Sequence, residues 1–112
     1  MATGTLSKGV LTQNVEENIY SIDSDATGGY AVVKIKMLNA GSSDMTIRMS
    51  IHTGTVTSAD YIEYDTVIAP KSYIERTGVV IGRGQAISLW CTDSADCVFN
   101  INGTEVNVPS LV

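Results

Sequence analysis

Apolar and polar residues alternate with a period of two along most of the chain, and no stretch repeats apolar residues at three- and four-residue spacing behind a capping signal. The pattern predicts strands throughout. Between Tyr30 and Leu38, Ala31, Val33, Ile35 and Met37 alternate with Val32, Lys34 and Lys36, which suits a strand with one buried face and one wet face. After the turn residues Asn39 to Asp44, Met45, Ile47, Met49 and Ile51 alternate with Thr46, Arg48, Ser50 and His52. Tyr61 to Ala69 and Tyr73 to Ile81 flank Pro70-Lys71-Ser72, and Gly78 marks a bulge. Ile87, Leu89 and Cys91 then precede Asp93-Ser94-Ala95-Asp96, and Cys97, Phe99 and Ile101 follow.

Each of these neighbouring pairs reads as a hairpin, which gives three hairpins in sequence. Leu6 to Thr12 and Asn18 to Ile22 are shorter and more polar, and read as edge strands or a docked arm, with Ser24 to Gly29 as a loop. About eight short strands with turn signals at roughly 10-residue spacing predict an all-β antiparallel β-sandwich, jelly-roll or immunoglobulin-like. The 112 residues suit a single domain. Within it, residues 1–10 carry few charges and could serve as an N-terminal docking arm.

Composition narrows the function. The chain is 44% hydrophobic and 17% charged, enough apolar material to fold. Seven Lys+Arg against twelve Asp+Glu give a formal charge of -5, so no net field draws it to nucleic acid or to an anionic membrane. No apolar run approaches the roughly 20 residues of a membrane span, and the first ten residues lack the apolar stretch of a secretory signal. A soluble protein made in a cytoplasm is expected.

Resources for catalysis or metal binding are scarce. Asp60, Glu63 and Asp65 stand close together, but without the ligand loop of a calcium site they read as a solvated strand face. The single histidine, His52, falls on the wet face beside Arg48 with no further zinc ligands near it, and reads as a surface residue. Cys91 and Cys97 are not a redox C-x-x-C; they read as buried free thiols or as a bridge across their connection. Gly82-Arg83-Gly84 and Gly28-Gly29 lack the lysine and following helix of a phosphate loop and are turns. No enzyme, cofactor or metal is expected. Trp90 faces away from Leu89 and is either a second-layer core residue or an interface anchor.

The stretch Ala-Asp-Tyr-Ile-Glu-Tyr-Asp-Thr-Val-Ile-Ala-Pro from Ala59 to Pro70, followed by Ile-Glu-Arg-Thr-Gly-Val-Val-Ile from Ile74 to Ile81, resembles small virion structural proteins of tailed bacteriophages. The turn Leu38 to Ser43 and the strand Met45 to His52 belong to the same likeness, which covers roughly residues 30 to 102. The family comprises capsid decoration (cement) proteins and, more loosely, head, tail or fibre components. The resemblance implies a protein of the phage particle that binds the major capsid protein on the outer surface of the expanded head. It would clamp adjacent subunits as a homodimer or homotrimer, with no nucleic acid or membrane partner. Met1, Leu6, Val10, Trp90 and Tyr61 are the candidate interface residues. A tail, baseplate or fibre accessory protein is the nearest alternative. A carbohydrate-binding module that stacks sugars on Trp90 and tyrosines is another.

The face assignment has a direct consequence. Ile35→Asp or Ile47→Asp is expected to abolish folding, because a buried unpaired carboxylate costs several kcal/mol against a total stability of about 5–15 kcal/mol. A soluble mutant that melts cooperatively in calorimetry would reverse the assignment.

Overall fold

The computed structural model describes residues 3–22, 29–92 and 97–106. Eight strands follow one another: β1 (Thr3–Val10), β2 (Glu17–Ser21), β3 (Tyr30–Asn39), β4 (Met45–His52), β5 (Tyr61–Ile68), β6 (Tyr73–Ile81), β7 (Ala86–Cys91) and β8 (Cys97–Val106). The only helical element among the described residues is a single 3-10 turn, Ser58–Asp60. The strands form two antiparallel four-stranded sheets, ordered β1-β8-β3-β6 and β2-β7-β4-β5, so the all-β sandwich holds. Strands β1–β8, β2–β7, β3–β6 and β4–β5 are all paired, as if one long hairpin bent at β4–β5 had been rolled up. That is the jelly-roll alternative, not the immunoglobulin-like one.

The three expected hairpins do not form. β3 and β4, β5 and β6, and β7 and β8 each lie in opposite sheets, and β4–β5 is the only consecutive pair that shares one. The reason is that alternation fixes which face of a strand is buried, not which strand lies beside it. A connection of four or five residues spans the roughly 10 Å between packed sheets as readily as the roughly 4.8 Å between paired strands.

Buried Asn39, at the end of β3, holds two of these crossings. Its Nδ2 donates to the Ser43 carbonyl at 2.7 Å and to the Ile68 carbonyl at 2.9 Å, and its Oδ1 accepts from Gly41 N at 2.9 Å. Its backbone N–H donates to Ser72 O and its carbonyl accepts from Lys71 N. One side chain thereby ties the β3–β4 and β5–β6 connections together.

The core comes chiefly from the four inner strands: Ala31, Val33, Ile35 and Met37 of β3, Met45, Ile47 and Met49 of β4, Ile87, Leu89 and Cys91 of β7, and Cys97, Phe99 and Ile101 of β8. Their inward faces match the predicted alternation. Cys91 and Cys97 are buried, one in each sheet, and no disulfide joins them, so of the two readings the unbridged one holds. A hydrogen bond with Cys91, reinforced by burial, pushes the Cys97 thiol far above its usual range. Tyr20 of β2 donates to the Glu105 carboxylate of β8 and joins the sheets elsewhere. Burial first, and then this hydrogen bond, hold the Tyr20 phenol well above its usual value.

The inner ladders β3–β8 and β4–β7 run without interruption, whereas each of the four edge strands slips register against its neighbour. Gly78 is one such position: its φ of 67° lies in the left-handed region, where the β6 register shifts opposite β3, as the sequence predicted. Residues 3–10 form an edge strand paired to β8. Leu6 sits at its bulge, half-buried against the core, and Val10 is exposed; Met1 lies outside the described residues. Where β8 crosses β3, a Cβ on Gly103 would come within 2.1 Å of the Val32 carbonyl oxygen, so only glycine permits the pairing there.

Asn39→Ala is expected to lower stability by about 2–4 kcal/mol, since it leaves the buried Ile68 carbonyl without its partner and removes the part-buried bonds to Ser43 O and Gly41 N. Urea denaturation checks this, and a loss below about 0.5 kcal/mol would show that the two crossings hold without the side chain.

Candidate functional site

The outward faces of the two sheets differ in chemistry. On the sheet β1-β8-β3-β6, register places Lys8 beside Asn100, Asn100 beside Lys36, and Lys36 beside Glu75. Lys34 pairs with Asn102 in the next row, and Asn102 with Thr5, whose hydroxyl donates to the Asn102 side chain at 3.0 Å. Three of the four lysines of an acidic chain therefore share one face, with Glu75 as the carboxylate among them. Lys34 lies 3.7 Å from Glu75, and the Lys36 ammonium sits 4.6 Å over the Tyr73 ring. Lys34, Lys36, Asn100 and Asn102 line a shallow hollow of about 280 Å³ whose walls include Leu38, Val98 and Phe99.

Apolar side chains border this polar centre on both sides. Val10 pairs with Val98, and Leu38 with Tyr73; Val10 is 53% and Tyr73 54% exposed. At the other end Val32 pairs with Val80, which is 59% exposed. The face thus sets charged and amide groups beside exposed apolar side chains.

The outer face of β2-β7-β4-β5 carries a chain of stacked rings. Arg48 of β4 pairs with Trp90 of β7, and its guanidinium lies 4.3 Å from the Trp90 ring centre and 4.4 Å from that of Tyr64. Its Nε donates to Asp65 Oδ1 at 2.7 Å, and this bond raises the Arg48 pKa further. A bulge in β5 allows the arrangement. Ile47 faces Thr66 and Met49 faces Glu63, leaving Tyr64 and Asp65 together opposite Arg48, with Asp65 at φ 53°. Tyr61 meets Tyr64 edge to face at 4.9 Å, and its hydroxyl donates to Glu16 Oε2 at 3.0 Å. Desolvation, followed by the bond to Glu16 and its charge, raises the Tyr61 phenol.

Beneath this layer lies a polar cluster that the sequence reading placed in water. Tyr61, Ser50 and Ser88 are successive partners along one row, so Tyr61 crosses above the serines to reach Glu16. His52 follows Ser50 on the same face as alternation predicts, but it is only 6% exposed, and the surface assignment is corrected accordingly. Its Nδ1 lies 2.8 Å from the Gly54 carbonyl, which must accept a proton from it. In the neutral imidazole Nε2 then accepts from Ser88 Oγ at 2.7 Å. Serine, imidazole and an orienting carbonyl resemble an activated nucleophile. Ser88 itself is nevertheless buried, only 4% exposed. The cluster pins the β4–β5 connection to the sheet.

A second hollow, about 400 Å³, opens beside the rings and is lined by Val56, Thr57, Ser58, Tyr61 and Tyr64. Asp60 secures its wall by accepting from Thr57 N at 2.7 Å and from Thr57 Oγ1 at 3.0 Å. Asp60 and Asp65, with Glu63 held by Arg76 and Thr66, are thus bonded within the fold. Among the described residues no group of three or more His, Cys, Asp or Glu could hold a metal ion.

Of the candidate interface residues, Trp90 and Tyr61 fall on one face through Arg48 and Tyr64, whereas Val10 belongs to the lysine face and Leu6 is turned toward the core. The lysine cluster was missed, although the signal was present in Lys8 and in the Lys34–Lys36 alternation. Comparison with protein-family models, with curated proteins and with solved structures gave no match.

The raised Tyr61 phenol carries a pH dependence. Its contribution to stability is complete below the unfolded value near 10 and is lost as pH rises through the higher folded value. Glu16→Gln should bring the Tyr61 titration down toward 10 while the protein stays folded. Residue-resolved NMR titration of the tyrosine rings measures this, and an unmoved midpoint would remove Glu16 as a cause.

Proposed function

We propose that the protein is a structural component of a tailed-phage virion, a capsid decoration protein that docks by the outer face of β1-β8-β3-β6. Its partner is an acidic patch on the outside of the major capsid protein lattice. The observation that carries this reading is the concentration of Lys8, Lys34 and Lys36 on one face of a chain whose formal charge is -5. Such a face steers toward an acidic surface while the remaining charge keeps free copies apart. The exposed Val10, Tyr73, Val32 and Val80 supply apolar area beside it. The resemblance of Ala59–Pro70 and Ile74–Ile81 to virion structural proteins supplies the particle.

Slipped register on all four edge strands favours docking through a face over addition of a strand, because bulged edges are poor templates for pairing. Binding only the expanded lattice stabilises that lattice by linkage, and a homodimer or homotrimer repeats the contact at a symmetry axis.

Cryo-electron microscopy of the virion tests the assignment: density repeated over the head is expected, and density confined to the tail would move the protein to an accessory role. Lys34→Glu with Lys36→Glu should weaken binding to expanded capsids by on the order of 10-fold or more at low salt, with an unchanged melting temperature. Undiminished binding by the double mutant would reject this face.

A further inference from the structure

We infer that the hollow between Tyr61, Tyr64 and the Val56–Ser58 segment is a binding subsite for an uncharged saccharide. It lies on the sheet opposite the lysine face, and its chemistry does not depend on the capsid reading.

The lining is amphipathic in a particular way. Two tyrosine rings meeting at 73° provide aromatic surface, and Thr57 and Ser58 place hydroxyl-bearing residues beside them. A pyranose ring has the complementary character, with an apolar C–H surface to lie on a ring and hydroxyls at its rim to exchange hydrogen bonds.

Charge selects the class further. No lining residue is ionised, while Glu16, Asp60 and Asp65 are bonded to residues at or beside the hollow, a setting that opposes anionic ligands. A cationic ligand meets a different obstacle. Arg48 already occupies the position over the Tyr64 ring that such a ligand would seek. An uncharged polyol is the class left.

The walls are fixed before any ligand arrives. Asp60 locks the 3-10 turn through Thr57, His52 holds the connection at the Gly54 carbonyl, and Glu16 fixes the Tyr61 hydroxyl. Preorganisation of this kind reduces the ordering cost of binding. Arg48 stacks on Tyr64 and Trp90 alike, but Tyr64 is 57% exposed and lines the hollow, whereas Trp90 is half-buried and does not line it. The platform is therefore Tyr64 with Tyr61, not Trp90.

The test applies the intact protein to a printed array of neutral, sialylated and amino-sugar glycans, then titrates the best neutral hit by two-dimensional amide NMR. Binding to neutral glycans with Kd at or below about 1 mM is expected, with shift changes centred on Val56 to Tyr64. Tyr64→Ala should weaken it at least 10-fold at an unchanged melting temperature, Tyr64→Phe should keep it, and Trp90→Phe should leave it unaltered. Absence of neutral-glycan binding at about 1 mM, preference for charged glycans, or binding that survives Tyr64→Ala would overturn the proposal. Because free protein is used, its failure leaves the capsid reading standing, and displacement of the protein from the head leaves this subsite standing.

Discussion

Two sheets joined by connections that cross between them must be held in register at their ends, and at one end that constraint falls on Asn39. A sandwich whose strands pair as β1–β8, β2–β7, β3–β6 and β4–β5 draws little register information from local turns. Its long-range partners must be fixed some other way. Asn39 is buried, yet it offers two donors and an acceptor, all used on the connections either side of β4 and β5. An apolar side chain of the same size would fill the space but leave carbonyls of both crossings without partners, which is the costlier condition in a low-dielectric interior. With those crossings set, β4 and β6 fall into different sheets, and both outward faces acquire their rows.

Much of the fold was legible because the inner strands obey a simple rule. β3 and β8 face the core on one side only, so Val33, Ile35 and Met37, or Cys97, Phe99 and Ile101, appear at every second position. Strand partnership was not legible, since residues 40–44 can turn within a sheet or arch between two sheets with the same composition. The edges blurred the pattern for another reason: bulges in β5 and β6 insert residues that break alternation, and only Gly78 announced one of them. His52 shows a subtler limit. Its face was read correctly, but alternation carries no information about the 53–60 connection and Tyr61 that roof that face.

The site was legible in a similarly divided way. Trp90 and Tyr61 belong to one surface, but the residue that unites them is Arg48, whose role required knowing that β4 lies between β7 and β5. Lys34 and Lys36 were correctly assigned to solvent, but the addition of Lys8 depends on β1 pairing with β8 across more than ninety positions of sequence. Clustering of like charge is a property of topology. Composition gave only its background, the net negative charge that makes a lysine face distinctive.

The slipped edges also bear on how the two faces can be used. A jelly roll exposes four edge strands, each a potential template for another chain, and here each one breaks its ladder. Arg76 adds a second obstacle at the β5–β6 edge by bonding both the Glu63 carboxylate and the Ile62 carbonyl. With edge pairing disfavoured, the proposed contacts fall to side chains on the two broad surfaces. Those surfaces have diverged: one gathers lysines, amides and exposed valines, while the other buries its serines and histidine beneath stacked tyrosines and an arginine. On the proposed readings, one side of the domain meets a flat acidic partner and the other a small amphipathic ligand. Charge follows the same division, with Lys8, Lys34 and Lys36 on one face and Glu16, Asp60 and Asp65 around the stacked rings of the other.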